Sequence, residues 1–214
     1  TYDSGRSALY ATLKSLGVGG GDEVLVQAFT CVVVINAIRL AGATPIYVDI
    51  DETYNMDALL IEKNIHSHTK AIIVQHTFGT QAKIESIIAV AKKHGIAVVE
   101  DCAHSLGAKF QNKLLGTFGD IAMLSFGTDK IISCVRGGAI LTKSPQLLAA
   151  CQKIQKSLPE APLKNILQEL FYLPAFLVGK LTYGFIIGNW FLYAAKKIGI
   201  TTKFIDDSEK QGIW

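Results

Sequence analysis

Four short apolar runs alternate with helix-length segments through the first half of the chain: EVLVQAF (23–29), PIYVDID (45–51), KAIIVQH (70–76) and IAVVEDCA (96–103). Such runs, rich in β-branched residues, read as strands. ALYATLKSL (8–16) has helical spacing and ends at the glycine-rich GVGGGDE (17–23), while NMDALLIEKN (55–64) and QAKIESIIAVAKKHG (81–95) read as amphipathic helices. CVVVINAIRLAG (31–42) opens on β-branched residues like a strand, but its length and closing Gly42 favour a buried helix. Strand–helix alternation calls for an α/β fold, with a mostly parallel central sheet and helices on both faces. Ligands of such sheets sit at the carboxyl ends of strands. That rule points to His76, Glu100, Asp101, His104 and the loop that holds Lys130.

Composition narrows the function classes. At 214 residues the chain can bury a substantial core, and a charged fraction of 18% with half the residues apolar fits a globular protein. The net charge is only +3, and its basic residues are scattered, so nucleic acid is not an expected partner. Cys31, Cys102, Cys134 and Cys151 form no CxxC pair and no metal-ligand spacing. No metal is expected. The cysteines read as reduced thiols of a cytoplasmic protein, three of them in apolar runs where burial is expected. No signal peptide is visible, and TYDSGRSALYATL opens already at a helix start, so upstream residues are expected.

Three features carry chemistry. Asp101 ends a buried strand, a costly place for an anion unless a cation meets it. A protonated heterocyclic nitrogen would meet it; otherwise Asp101 caps the following turn. Ser4 and Gly5 open a helix in DSGRSALY (3–10), where free N–H groups and the helix dipole suit a phosphate. Ser4 serves equally as an ordinary N-cap. Lys130 lies in SFGTDKIISCVRGG (125–138), between the apolar runs IAMLSF (121–126) and GGAILT (137–142). It is either a solvent-facing loop residue or an amine kept inside for nucleophilic chemistry. An amine, a carboxylate and a phosphate site together are what pyridoxal phosphate requires. The glycines of GVGGGD follow a helix rather than a strand, which excludes a dinucleotide loop.

From about Ser4 to Ser157 the chain resembles the DegT/DnrJ/EryC1/StrS family of pyridoxal-phosphate sugar aminotransferases, of aspartate-aminotransferase fold (fold type I). The resemblance is carried by VVEDCAHSLGAKFQNKLLGTFGDIAMLSF (98–126), by Lys130 with Gly137 and Gly138, and by GDEVLVQAFTCVVVINAIRLAGATPIYVDID (21–51). It implies that Lys130 is the catalytic Schiff-base lysine and that Asp101 pairs with the pyridine nitrogen. It further implies that His104 contacts the ring face or 3-hydroxyl of the cofactor. Ser125 would bind the phosphate through its hydroxyl, and Gly5 and Arg6 through their N–H groups. The lysine's presence separates the chain from the family's dehydratase branch. Three positions depart from the family pattern: Arg6 replaces a small hydroxyl residue, Cys31 an aromatic that stacks on the cofactor, and Val135-Arg136 a Gly-Glu pair. Either Phe29 substitutes for that aromatic or nothing does.

The division expected is a cofactor-binding large domain over 1–157, truncated at its N-terminus, and an apolar helical insertion or tail over 158–214. The family's small C-terminal domain and its asparagine-bearing loop find no match. ILQELFYLPAFLVGKLTYGFIIGNWFLYAAKKIGI (166–200) is more apolar than a surface helix, and Pro174, Lys180, Gly184, Gly188 and Asn189 are expected to break it. Neither piece is long enough to span a bilayer. The segment therefore packs on missing parent sequence or a partner subunit, lies on a membrane surface, or aggregates. The resemblance implies an aminotransferase that moves an amino group, from glutamate, onto a nucleotide-linked keto-sugar. The product would serve cell-surface polysaccharide or amino-sugar biosynthesis. It implies a homodimer with shared active sites. The alternatives are a non-catalytic, cofactor-binding regulatory homologue and a membrane-associated variant, peripheral to the bilayer through 166–200.

Overall fold

A computed structural model describes residues 1–185 and 187–197. Its centre is a six-stranded sheet made of β1 (Glu23–Gln27), β2 (Thr44–Val48), β3 (Thr69–Gln75), β4 (Ala97–Asp101), β7 (Ile121–Ser125) and β8 (Gly138–Thr142), in the order β2-β1-β3-β4-β7-β8. Every neighbouring pair is parallel except β7 and β8, which run antiparallel. A separate two-stranded ribbon, β5 (Lys109–Phe110) and β6 (Lys113–Leu114), turns through Gln111 and Asn112, both with positive φ (49° and 61°). Positive φ at both central residues gives a turn whose twist matches the strands.

The chain reverses direction across the sheet after β1, first to β2 on one side and then to β3 on the other. That switch leaves a crevice at the carboxyl ends of β1 and β3, where Gln27 and Gln75 stand.

Period-two alternation sorts the strand residues between two cores. Val24, Val26, Ile73, Val99, Ile121 and Met123 face α1 (Gly5–Ser15), α2 (Val32–Leu40) and α5 (Pro145–Ser157). Leu25, Ile72, Val74 and Val98 face α3 (Ala58–Ile61) and α4 (Ile84–His94). Helices therefore cover both faces, as the alternation predicted. The ambiguous segment 31–42 is helical, and residues 55–64 form only a single α-helical turn followed by a 3-10 turn.

Ser4 caps α1 by accepting the Ser7 N–H at 3.2 Å. Tyr2 pairs with Gly138 of β8 through two backbone hydrogen bonds (2.8 and 3.0 Å), which carries the start of α1 to the strand ends.

Beyond α5 the chain forms α6 (Leu163–Leu181), a 3-10 turn (Tyr183–Phe185) and α7 (Ile187–Lys197). Pro174 does not break α6. Its fixed φ is helical, and the missing donor costs one hydrogen bond rather than the whole helix. Gly188 and Asn189 likewise lie inside α7. The two helices meet at Gly179, where a side chain would collide with Leu192. No helix among the described residues is long and apolar enough to cross a membrane. Residues 198–214 of the expected tail lie outside the described residues.

Candidate active site

A cavity of about 610 Å³ opens at the carboxyl edge of the sheet. It collects every residue that the sequence singled out for the cofactor: Gly5, Arg6, Asp101, His104, Ser125 and Lys130.

Asp101 reaches it because side chains alternate along β4. Asp101 shares the face of Val99, towards α1, whereas Glu100 points to the opposite face. Glu100 therefore does not join the cavity, contrary to the reading from strand ends. It is a buried hub instead. Its Oε1 accepts the N–H groups of Phe118 (2.7 Å) and Gly119 (2.6 Å), and its Oε2 accepts that of Gly116 (2.7 Å). His76 Nε2 lies 3.2 Å from Oε2, while His76 Nδ1 accepts the Ala82 N–H, so the Nε2 proton faces the carboxylate. Burial pushes the Glu100 carboxyl up, but His76 and the Gly119 and Gly116 amides outweigh it and hold it below the usual carboxylate range. Cys102 completes a buried group with ligand atoms within 4.8 Å of one another. Its thiol is pushed up to about 12 by burial, and His76 and Glu100 are engaged by protein donors, so the cluster reads as structural.

Asp101 is 4% exposed. Its Oδ1 accepts the Ala103 N–H at 3.0 Å, the turn-capping bond anticipated from sequence, and its Oδ2 accepts Gln75 Nε2 at 2.9 Å. Asp101 thus caps a turn and also lines the cavity.

Gly5 lies against Ser125, the last residue of β7, and a Cβ on Gly5 would fall 2.8 Å from Ser125 Oγ. Only glycine allows the first turn of α1 to approach this hydroxyl. The helix start, with its partial positive charge, is thereby aimed at the cavity.

Lys130 sits in the loop between β7 and β8, its side chain 15% exposed. Its Nζ lies 2.9 Å from Asp129 Oδ2 and 3.3 Å from His104 Nε2. Burial raises the Asp129 carboxyl, yet the hydrogen bond and charge of Lys130 outweigh it and hold it low. The lysine is thus shielded but not bare. Arg136, on the same wall, has its Nε 3.8 Å from Glu169 Oε1 of α6.

Burial was expected for three of the four cysteines, but only two are in the core. Cys31 and Cys134 are exposed, while Cys102 and Cys151 are buried. Cys31 lies at the N-terminus of α2 and lines the cavity, and Cys134 lies in the Lys130 loop.

An aromatic rim borders the cavity. Phe29, Tyr54 and Phe78 contact one another at centroid distances of 5.6 to 6.3 Å, and Phe78 stacks on His104 at 6.1 Å with 3° between planes. Tyr54 (φ 60°), Phe78 (φ 54°) and Val135 (φ 72°) all occupy the left-handed region. Large or β-branched residues adopt it only under constraint, and such strain gathers at functional sites.

Two buried amides supply the constraint around Tyr54 and Phe78, and neither was foreseen. Gln27 Nε2 donates to Phe29 O (2.7 Å), Tyr54 O (3.1 Å) and Thr77 Oγ1 (2.9 Å), while its Oε1 accepts the Met56 N–H (3.2 Å). Asn55 Oδ1 accepts the Thr77 N–H at 2.8 Å, and its Nδ2 donates to Thr80 O at 3.2 Å. Polar residues inside apolar runs were the available signal.

The sequence profile of the DegT/DnrJ/EryC1/StrS aminotransferase family matches residues 1–165. The chain belongs to this family. It is 41% identical over 152 residues to GDP-perosamine synthase of Escherichia coli O157:H7, covering 71% of this chain and 42% of that protein. It is 40% identical over 154 residues to the pleiotropic regulatory protein of Geobacillus stearothermophilus, covering 71% of this chain and 41% of that protein. The solved aminotransferase of Psychrobacter cryohalolentis superposes with a TM-score of 0.71 at 32% identity, over 75% of this chain and 44% of that one. The chain thus spans about two-fifths of the length of the curated relatives it matches.

Proposed function

We propose that residues 1–157 form the cofactor-binding lobe of a pyridoxal-phosphate aminotransferase, which moves an amino group from a donor, glutamate, onto a nucleotide-linked keto-sugar. The observation that carries this reading is the meeting of Lys130, Asp101 and the Gly5–Ser125 contact in one cavity. Its volume lies within the range of ordinary cofactor sites. The naming of a GDP-perosamine synthase among the relatives supports the sugar substrate.

The residues present fit that cofactor. Space for a phosphate is kept by Gly5, where a Cβ would press on Ser125 Oγ. Ser125 Oγ and the N–H groups of Gly5 and Arg6 would hold the phosphate. Asp101, buried and accepting only neutral N–H donors, would meet the ring nitrogen. His104 would cover the ring or its 3-hydroxyl. When bound, pyridoxal phosphate supplies an aldehyde and an electron sink. Lys130 Nζ would hold the aldehyde group and move protons as acid and base, with Asp129 and His104 at hand to orient it. Phe29, at the cavity wall, replaces the stacking aromatic absent at Cys31.

The described helices after α5, α6 and α7, are read as an insertion or tail. Leu170, Leu173, Leu181 and Trp190 are each more than 60% exposed, and clustered apolar exposure of this kind marks interaction surfaces. A second copy of the chain is the proposed cover, in a homodimer. The free cysteines suit a reducing, cytoplasmic setting.

The test is reduction with borohydride in the presence of pyridoxal phosphate, followed by peptide mapping. The label should be found on Lys130; a label elsewhere, or no yellow species at all, overturns the assignment. A second reading, a regulatory homologue that binds cofactor without turnover, is favoured by the similarity to a pleiotropic regulatory protein and by Arg6 and Cys31. It predicts the same label with no amino transfer from glutamate.

A further inference from the structure

The geometry points to Gln75 as a positioning residue that sets the Asp101 carboxylate for a cationic ring nitrogen, an inference that rests on the cofactor reading above. β3 and β4 run parallel with Gln75 and Asp101 in register, and both side chains line the cavity. A terminal carboxylate rotates easily about its last torsion. Here two donors from different elements stop it: the Gln75 side chain on Oδ2 and the Ala103 backbone, in the following turn, on Oδ1. The orientation of the Gln75 amide follows from this contact, since only its NH₂ end can face an acceptor-only carboxylate.

The chemistry of the donor matters as much as its place. An arginine or lysine at 75 would hold Asp101 more strongly, as a charge-assisted pair. It would also neutralise the carboxylate before any ligand arrived. A primary amide orients Asp101 and leaves its charge unspent. Among the described residues, no basic side chain lies within ion-pair distance of Asp101.

A second observation comes from the other end of the same amide. Gln75 Oε1 is buried and has no hydrogen-bond partner. Buried acceptors are nearly always met, and leaving one unmet is costly. At a cavity wall, such an acceptor is a place for a donor brought by a ligand or an ordered water. Gln75 thus presents its donor to Asp101 and keeps an acceptor in reserve beside it.

The experiment titrates pyridoxal phosphate into the wild-type chain, Gln75→Met and Gln75→Lys, following the visible spectrum from pH 5 to 9, with thermal melting of each protein without cofactor. Methionine keeps the size and removes both polar ends. It should weaken affinity about tenfold and displace the pH midpoint of the bound cofactor's absorbance, while the melting temperature stays near wild type. Lysine should weaken affinity further, because its ammonium competes for Asp101. Unchanged affinity and midpoint in Gln75→Met overturn the positioning role and leave the cofactor reading intact. A lowered melting temperature with an unmoved midpoint also overturns it, since that marks a packing role. If the wild-type chain fails to bind the cofactor, the reading of the cavity itself fails.

Discussion

Gly5 and Ser125 touch so closely that a methyl group on Gly5 would lie 2.8 Å from both Cβ and Oγ of the serine. One belongs to the first turn of α1 and the other to the end of β7, so this contact sets how near a helix start can come to a strand end. Gly5→Ala should force the two apart at a cost of about 1–3 kcal/mol, the usual range for overpacking. Phosphate-bearing ligands should suffer more than the fold does. Isothermal titration with pyridoxal phosphate, beside urea melts, checks it; a variant that binds as well as wild type would show that the contact is only packing.

Asp101→Asn replaces an acceptor-only group by one with donors of its own. Gln75 and the Ala103 N–H remain facing it, so one contact can survive and the fold should persist. The negative charge is gone, however, and with it the partner for a protonated ring. Half-transamination by the protein with glutamate should fall at least a hundredfold, by about 3 kcal/mol. Rates equal to wild type would leave Asp101 with its turn-capping role alone.

Glu100 gives the fold a dependence on acid. Burial acts to raise its carboxyl, but the hydrogen bonds from His76, Gly119 and Gly116 win, and the folded state holds the group lower than the unfolded chain does. A group of this kind contributes stability above its unfolded value, about 4.3 for glutamate. The contribution disappears as pH falls through the lower folded value. Glu100→Gln should cost about 3–5 kcal/mol at pH 7, where it leaves buried donors facing an amide. The gap to wild type should narrow below pH 4. Urea denaturation at both pH values measures it, and a gap independent of pH would contradict the linkage.

Gln27 and Asn55 both grip Thr77, one at its hydroxyl and one at its N–H. Gln27→Leu and Asn55→Ala should each cost about 1–3 kcal/mol for every buried group left unpaired. The double variant should fall short of the sum, with a coupling of about 0.5–3 kcal/mol. Strict additivity would mean that the two amides hold separate loops rather than one rim.

Leu170 and Leu173 on α6 are 66% and 63% exposed. Replacing both with glutamate should turn a dimer into a monomer in light scattering while leaving the urea midpoint within about 0.5 kcal/mol of wild type, as for surface changes. A wild-type chain that is monomeric, or that floats with liposomes, would reject the second copy as the cover.

Much of this arrangement is legible in the sequence because it is local. Strand and helix periods lie within short windows, and Asp101, His104, Ser125 and Lys130 fall within one stretch of chain whose spacing fixes their neighbourhood. What was misread depends on partners far away in sequence. Glu100 and Asp101 are adjacent carboxylates at the same strand end, and only the side of the pleat separates a buried hub from a cavity wall. Gln27 and Thr77 are 50 positions apart, so the amide that ties them carries no local pattern. The helix through Pro174 was missed because proline's ring weakens a helix without forbidding it.

The antiparallel return of β8 beside β7 has a consequence for how this chain can change over generations. The loop bearing Lys130 leaves the sheet at Phe126 and comes back at Gly137, and the two ends are fastened by a Phe126 N–H to Gly137 O bond of 2.9 Å. Whatever happens inside that neck need not disturb the register of any strand. Asp101 has no such freedom, because it is part of the sheet itself. Mutation can therefore rewrite Lys130 and its companions as a cassette, while Asp101 is inherited with the scaffold.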